Sequence, residues 1–234
     1  GITTSYFNFG PNNLNTSFSS PGIWTITLIV ESGEGCLSTI TKTITIHDLP
    51  QAGFIMVPDT TCLSIDPSIF NGDLPYSQNS NSGNINLWQW DFDNTGTYNF
   101  TGSNGTASHI FSSSGNYPVT LTVTDDNGCI GTTTRTINIV PGITADFSFQ
   151  NACQGLPTII DGSLSSSFTD HWEWDFGSTG SIDATGQSVS YTFPNNGYHS
   201  VTLTVYRYLT NDTCIETITK DIYVWDLPNP SFST

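Results

Sequence analysis

Apolar and polar residues alternate along much of this chain with the period of two that a half-buried β-strand requires. The alternation is clearest in three stretches that align with one another and that each begin at a glycine, residues 22–30, 115–123 and 197–205. Each stretch leads through a turn and a cysteine (Cys36, Cys129 or Cys214) into a second run of alternating branched residues. The pattern predicts three hairpins of two long strands, with no room for helices.

Other positions recur at matching offsets around these hairpins. A phenylalanine lies four residues before each glycine and a basic residue six residues after each cysteine: Phe18, Phe111 and Phe193, then Lys42, Arg135 and Lys220. Further upstream, an aromatic run recurs at residues 7–10, at Trp90, Asp91 and Phe92, and at Trp174, Asp175 and Phe176. Because alternate residues of a strand face one side, these aromatic residues predict a core strand. Short strands separated by turns, repeated in this way, predict an all-β fold of antiparallel sandwiches.

The repeats divide the chain into modules. We predict the C-terminal part of a module in residues 1–49, complete modules in 50–141 and 142–228, and the start of another in 229–234, where Phe232 follows Pro228 as Phe54 follows Pro50. The junctions at Pro50, Pro141 and Pro228 are short, and proline restricts both itself and the residue before it. The prediction is an elongated, semi-rigid array.

Charge and motif content exclude several functions. Four Lys and Arg against twenty Asp and Glu give a net charge of −16, which repels phosphate backbones and anionic headgroups, so we expect no nucleic-acid partner. No stretch approaches the roughly 20 apolar residues of a membrane span, and we expect no direct membrane insertion. Neither Gly-x-Ser-x-Gly nor His-Glu-x-x-His occurs, and the histidines are scattered over different repeats. The chain is therefore predicted not to be an enzyme.

Polar residues near the aromatic run suggest two roles. Asp91 and Asp93 offer oxygen donors at alternate positions before Gly96, as calcium loops do, although no bidentate Glu follows and the third repeat keeps only Asp175. Calcium is the one cofactor we consider. For the recurrent basic residues we predict structural ion pairs, Arg135 with Asp91 and Lys220 with Asp175.

The combined motifs resemble a known family. Trp-Asp-Phe-Gly at 174–177, an aromatic residue four positions before glycine, Gly-x-Tyr-x-Val-Thr-Leu-Thr-Val at 115–123 and a Gly-Cys pair are similar to the polycystic kidney disease (PKD) domain. The resemblance implies immunoglobulin-like sandwiches. It further implies a secreted, outer-membrane-associated surface protein of Bacteroidota, such as a gliding-motility adhesin exported by the type IX secretion system. The implied partners are neighbouring PKD modules of the same chain, surface glycans, and proteins of the secretion or motility machinery.

The cysteines occupy equivalent places in successive repeats. Cys62 opens the second module and Cys129 closes one of its late strands, and Cys153 and Cys214 hold the same places in the third. We predict the disulfides Cys62–Cys129 and Cys153–Cys214, with Cys36 bonded to an upstream cysteine outside the segment. Free cysteines are the alternative.

Two other functions stay open at this point. The chain could be a carbohydrate-binding or spacer module of a secreted hydrolase, or a structural subunit of an extracellular filament. Aromatic side chains that could stack on sugars are Tyr76, Tyr98, Phe100, Tyr206, Tyr208 and Trp225.

Overall fold

A computed structural model describes residues 16–64, 66–73, 75–81, 83–150, 152–177 and 180–231. The predicted aromatic run at 7–10 and the predicted start of a module at Phe232 lie outside these ranges. Every regular secondary-structure element within these ranges is a β-strand, which confirms the predicted all-β class. No helix in the described ranges is long and apolar enough to cross a membrane.

The strands run in chain order as β1 (Gly22–Glu31), β2 (Leu37–Ile46), β3 (Ile55–Met56), β4 (Thr60–Cys62), β5 (Ser68–Asn71), β6 (Ile85–Asp91), β7 (Phe100–Gly102), β8 (Thr106–His109), β9 (Gly115–Asp125), β10 (Ile130–Val140), β11 (Ser148–Phe149), β12 (Ala152–Cys153), β13 (Pro157–Asp161), β14 (His171–Asp175), β15 (Ala184–Thr185), β16 (Ser188–Thr192), β17 (Gly197–Tyr208) and β18 (Thr213–Trp225).

The three predicted hairpins are confirmed as β1–β2, β9–β10 and β17–β18. In the first, Gly22 pairs with Ile46, and in the third, Gly197 pairs with Val224. Gly128 closes the middle hairpin with φ +81° and donates its N–H to the Asp125 carbonyl at 3.0 Å. Because side chains disfavour that left-handed conformation, the turn before Cys129 needs a glycine.

The sheets repeat one topology. A five-stranded sheet has the order β4-β10-β9-β6-β7, and a second has the order β12-β18-β17-β14-β15. Three-stranded sheets β3-β5-β8 and β11-β13-β16 complete the set. Strand for strand the two groups correspond, so the sequence repeat is also a repeat of the fold: tandem immunoglobulin-like sandwiches.

By contact density the chain forms two compact units. The first contains the described parts of residues 1–57, 68–109 and 117–137, and its core is a cluster of aromatic rings. Phe54 meets Trp90 edge-on at 5.0 Å between ring centroids, and Phe70 lies 4.9 Å from Phe92. Trp90 is fully buried and Phe92 nearly so, as the alternating pattern predicts.

The second unit contains the described parts of residues 58–67, 110–116 and 138–234. Its core lies between the sheets β12-β18-β17-β14-β15 and β11-β13-β16. Trp174 lies at its centre, 5.3 Å from Phe147 between ring centroids, and Phe176 stacks on Tyr191 at 3.9 Å. The predicted core role of Trp174 and Phe176 therefore agrees with their burial.

Candidate functional site

The cysteine pairing differs from the predicted one. Cys62 bonds Cys214, with 5.8 Å between the two Cα atoms and a sequence separation of 152, and both lie in the second unit. Cys36, Cys129 and Cys153 are free. The predicted pairs Cys62–Cys129 and Cys153–Cys214 are therefore wrong.

Strand length explains the error. Cys62 pairs in register with Val140, the last residue of β10, whereas Cys129 precedes the first residue of that 11-residue strand. At about 3.3 Å per residue the two cysteines lie about 36 Å apart, and a disulfide needs Cα atoms within about 7 Å. Cys153 pairs with Trp225 at the end of β18, while Cys214 is near its start, so the same limit applies.

Polar contacts surround the disulfide within the second unit. The Thr61 hydroxyl donates to an Asp212 carboxylate oxygen at 2.6 Å, and the Leu63 N–H donates to the Val140 carbonyl at 2.8 Å. Arg207 donates from Nη1 to the Pro141 carbonyl at 2.8 Å. The end of one repeat, formed by β4 and residues 138–141, is thus joined to β17 and the β17–β18 turn of the next by one covalent bond and two hydrogen bonds.

The recurrent basic residues bind elsewhere than predicted. Lys220 forms an ion pair with Asp146, donates to the Phe147 carbonyl at 2.6 Å, and lies 4.8 Å from the centre of the Phe147 ring. Arg135 makes the equivalent contacts in the first unit, with 2.7 Å from Nη1 to the Phe54 carbonyl and 5.6 Å to the Phe54 ring centre. In both complete repeats the basic residue therefore anchors the chain segment that enters the repeat.

The predicted pairings of Lys220 with Asp175 and of Arg135 with Asp91 are wrong because of strand parity. Asp175 pairs with Thr202, whereas Lys220 pairs with the adjacent residue Val201, whose side chain is on the opposite face. The same holds in the first unit. Asp91 pairs with Thr120, the Thr120 hydroxyl hydrogen-bonds Thr134 at 2.8 Å, and Arg135 follows Thr134 on the other face.

We predict that Lys220→Gln lowers the free energy of unfolding of the second unit by about 1–2 kcal/mol, since it removes charge-assisted hydrogen bonds at a partly exposed site. Lys220→Arg places at this position the residue type that Arg135 provides in the first unit, and it should retain most of the stability. The Lys220 hydrogen bond holds the pKa of Asp146 below its usual range. The stability that the ion pair contributes is present above the unfolded pKa of Asp146 and is lost as pH falls. The difference in free energy of unfolding between wild type and Lys220→Gln should therefore shrink below about pH 4. Urea unfolding at several pH values measures it, and a difference that is constant with pH would contradict the role of the ion pair.

The loop proposed for calcium is held by its own hydrogen bonds. Asp91 accepts from the Gly96 N–H at 2.8 Å, and Asp93 accepts from the Thr95 hydroxyl at 2.8 Å and from the Asn99 amide at 3.1 Å. The bonds from Thr95 and Asn99 lower the pKa of Asp93 to about 2. Among the described residues no three His, Cys, Asp or Glu side chains form a cluster that could hold a metal. Calcium binding at Asp91 and Asp93 stays a prediction.

One exposed aromatic cluster combines a predicted residue with two that sequence reasoning missed. Tyr198 pairs across the hairpin with Tyr223, with ring centroids 5.0 Å apart, and Tyr223 lies 4.6 Å from Trp225. Tyr198 is 77% exposed and Trp225 58%. Only the register of β17 on β18 shows that these rings adjoin, although alternation of Tyr223 and Trp225 with buried residues already indicated a shared outer face.

A second aromatic cluster lies on the same face at the other end of β17. Tyr206 and Tyr208 surround His171, with centroids 5.7 and 6.4 Å from the imidazole. Tyr206 donates its hydroxyl to Glu173, and this hydrogen bond raises the pKa of Tyr206 to about 12. Between the two clusters stand cross-strand threonine pairs, Thr202 with Thr219 and Thr204 with Thr217. The outer face is therefore polar at its centre and aromatic at both ends.

The fold defines a class, tandem immunoglobulin-like modules. The sequence matches the model of the PKD domain over residues 66–141 and again over 138–222, more than half of its length. The chain belongs to the PKD domain family, with two domains in tandem. PKD domains are non-catalytic modules, and a disulfide is typical of proteins in oxidising, extracellular compartments.

Other comparisons add only distant likenesses. Among curated proteins, none matches this chain. The fibronectin(III)-like modules of Clostridium thermocellum CbhA are 11% identical with a TM-score of 0.35, and the similarity covers 81% of this chain and 99% of theirs. A structure of carbohydrate-binding modules of the β-sandwich superfamily is 21% identical with a TM-score of 0.36, over 68% of this chain and 59% of that one. Bacteroides ovatus SGBP-B, in complex with a mixed-linkage heptasaccharide, is 12% identical with a TM-score of 0.24, over 88% and 54%. Similarity at this level says nothing about a ligand of this chain.

Proposed function

We propose that this chain is a load-bearing stalk segment of a secreted bacterial surface adhesin. The observation that carries the proposal is the Cys62–Cys214 bond, which connects one repeat to the next within the second unit. A pull on the two chain ends passes across that bond, so the stretch between the cysteines, whose sequence separation is 152, cannot extend while the bond is intact. Non-catalytic repeats that resist extension suit a stalk that carries a binding tip away from the cell.

The resemblance to PKD repeats of surface adhesins supports a more specific proposal. The parent protein would be outer-membrane-associated, exported by the type IX system of Bacteroidota, and used in gliding or attachment. Antibodies raised against this chain should then label intact, non-permeabilised source cells. Label that appears only after permeabilisation would contradict a surface location.

Single-molecule force spectroscopy tests the stalk, with handles at residues 1 and 234. We expect the oxidised chain to reach full extension about 500 Å shorter than the chain in reductant, because the loop closed by the disulfide is withheld, at about 3.3–3.6 Å per residue. Cys62→Ser with Cys214→Ser should extend fully from the first pull, and Cys129→Ser should behave as wild type. Equal lengths with and without reductant would show that the bond carries no load.

The exposed Tyr198, Tyr223 and Trp225 cluster supports a second candidate, binding of carbohydrate by stacking of rings on sugar faces. Affinity electrophoresis in gels containing soluble β-glucan, xylan or mannan tests it. We expect retardation by at least one polysaccharide, abolished by Trp225→Ala and unchanged by Tyr208→Ala, a matched exposed aromatic residue in the other cluster. Unretarded migration in all three gels, or loss of retardation in both variants, would contradict this site.

A further inference from the structure

The cysteines of this chain fall into two structural kinds. Cys36, Cys129 and Cys214 lie at the turn or at the second strand of the three long hairpins, six residues before Lys42, Arg135 and Lys220, and we name them turn cysteines. Cys62 and Cys153 lie on short strands that pair in parallel with the last residues of β10 and β18, and we name them edge-strand cysteines. Each complete repeat therefore has one cysteine of each kind.

The two kinds lie at opposite ends of a repeat, because the last strand of 11 or 13 residues separates them. They cannot bond within a repeat. The observed bond instead connects the edge-strand cysteine of one repeat, Cys62, to the turn cysteine of the following repeat, Cys214. The fold explains why the edge-strand cysteine pairs with the following repeat and not with the preceding one. The edge strand lies beside the last residues of its own repeat, and the hairpin turn of the next repeat lies at the same junction.

From this geometry we infer that the disulfide recurs at every junction of the tandem array. Cys153 bonds the turn cysteine of the repeat after it, and Cys36 and Cys129 each bond the edge-strand cysteine of the repeat before them. The partner is thus a further copy of this module, supplied by the same polypeptide. The free thiols support the inference, since Cys36 is exposed and Cys129 and Cys153 are partly exposed, so neighbouring repeats can reach them.

The chemistry of the bond is thiol–disulfide exchange. Two protein thiols and one oxidised glutathione, or an equivalent small or protein disulfide, give one protein disulfide and two reduced thiols. The two protein sulfurs each lose a proton and together lose two electrons, which reduce the glutathione. The loops closed at successive junctions overlap in sequence, because the loop from Cys62 to Cys214 contains both Cys129 and Cys153. Each junction of the array would therefore be crossed by a disulfide in addition to the main chain.

An extended chain tests the inference: residues 1–228 followed by a second copy of residues 142–234, so that the copy follows Pro228 as Gly142 follows Pro141. The copy carries Cys153→Ser, which leaves one edge-strand thiol unmatched, and Thr213→Ser, which marks its Cys214 peptide by mass. The chain is refolded in oxidised and reduced glutathione, free thiols are alkylated, and disulfides are mapped by peptide mass spectrometry. We expect Cys62 bonded to the first Cys214 and Cys153 bonded to the Cys214 of the copy, with Cys36 and Cys129 alkylated.

Two outcomes would overturn the inference: an alkylated Cys153 in a chain that has formed Cys62–Cys214, or Cys153 bonded to any cysteine other than that of the copy. A matched extended chain with Cys214→Ser in the copy should leave Cys153 alkylated. The inference extends the proposed stalk, but it is read from connectivity alone. If the disulfides map as expected but reductant does not change the extension, the stalk is rejected and the disulfide rule is kept. If reductant changes the extension but the disulfides map otherwise, the stalk is kept and the disulfide rule is rejected.

Discussion

Trp174→Ala is expected to lower the free energy of unfolding of the second unit by about 3–5 kcal/mol, the usual cost of removing a buried tryptophan. Trp174 is fully buried, its ring contacts Phe147, and its indole N–H donates to the Gly186 carbonyl at 2.8 Å. The alanine would leave a cavity between the two sheets and an unpaired carbonyl at its edge. Urea unfolding followed by circular dichroism measures the loss. The two units need not unfold together, so hydrogen exchange of β17 and β18 assigns the loss to the second unit.

Trp225→Ala is the matched control for this prediction. Trp225 is on the same sheet but 58% exposed, and surface substitutions usually change stability by no more than about 0.5 kcal/mol. A large difference between the two variants is expected. Equal effects would show that Trp174 is not the centre of a packed core.

Removing the disulfide is expected to have the second large effect. Cys62→Ser with Cys214→Ser should lower the stability of the oxidised chain by about 2–5 kcal/mol, since the bond closes a loop of 152 residues and restricts the unfolded chain. Reductant should destabilise the wild type by a similar amount and leave the double variant unchanged. Thermal unfolding with and without dithiothreitol measures both.

Cys129→Ser provides the control for the disulfide, because Cys129 is free in this chain. Its unfolding should remain as sensitive to reductant as that of the wild type. If Cys129→Ser abolished the effect of reductant while Cys62→Ser did not, the pairing Cys62–Cys214 would be refuted.

Much of the fold follows from local patterns that the sequence displays directly. Alternation of residues such as Val201, Leu203 and Val205 predicts strands with one buried face, and all three are fully buried. Glycines at fixed offsets predict the hairpin turns, and the aromatic run around Trp90 and Trp174 predicts the core strands. These inferences succeed because the period of a strand and the conformation of a turn depend on neighbouring residues.

Side-chain partners could not be predicted in the same way. The sequence shows that Lys220 and Asp175 recur at constant offsets, but parity across the β14–β17–β18 register puts them on opposite faces, and Lys220 binds Asp146 instead. Similarly, Tyr198 and Tyr223 become neighbours only through the register of two strands.

The sequence by itself determined the all-β class, the repeat, the hairpins and the buried aromatic strands, since each depends on periodicity within a few residues. The tertiary structure alone decided the disulfide, the ion pair and the aromatic clusters. Equivalent places in a repeat suggested that Cys62 should bond Cys129, but a long strand separates the two ends of a module. Contact therefore occurs between the end of one repeat and the turn of the next, at Cys62 and Cys214. Strand length and sheet order decide which ends of neighbouring repeats come into contact, and no local sequence pattern encodes them.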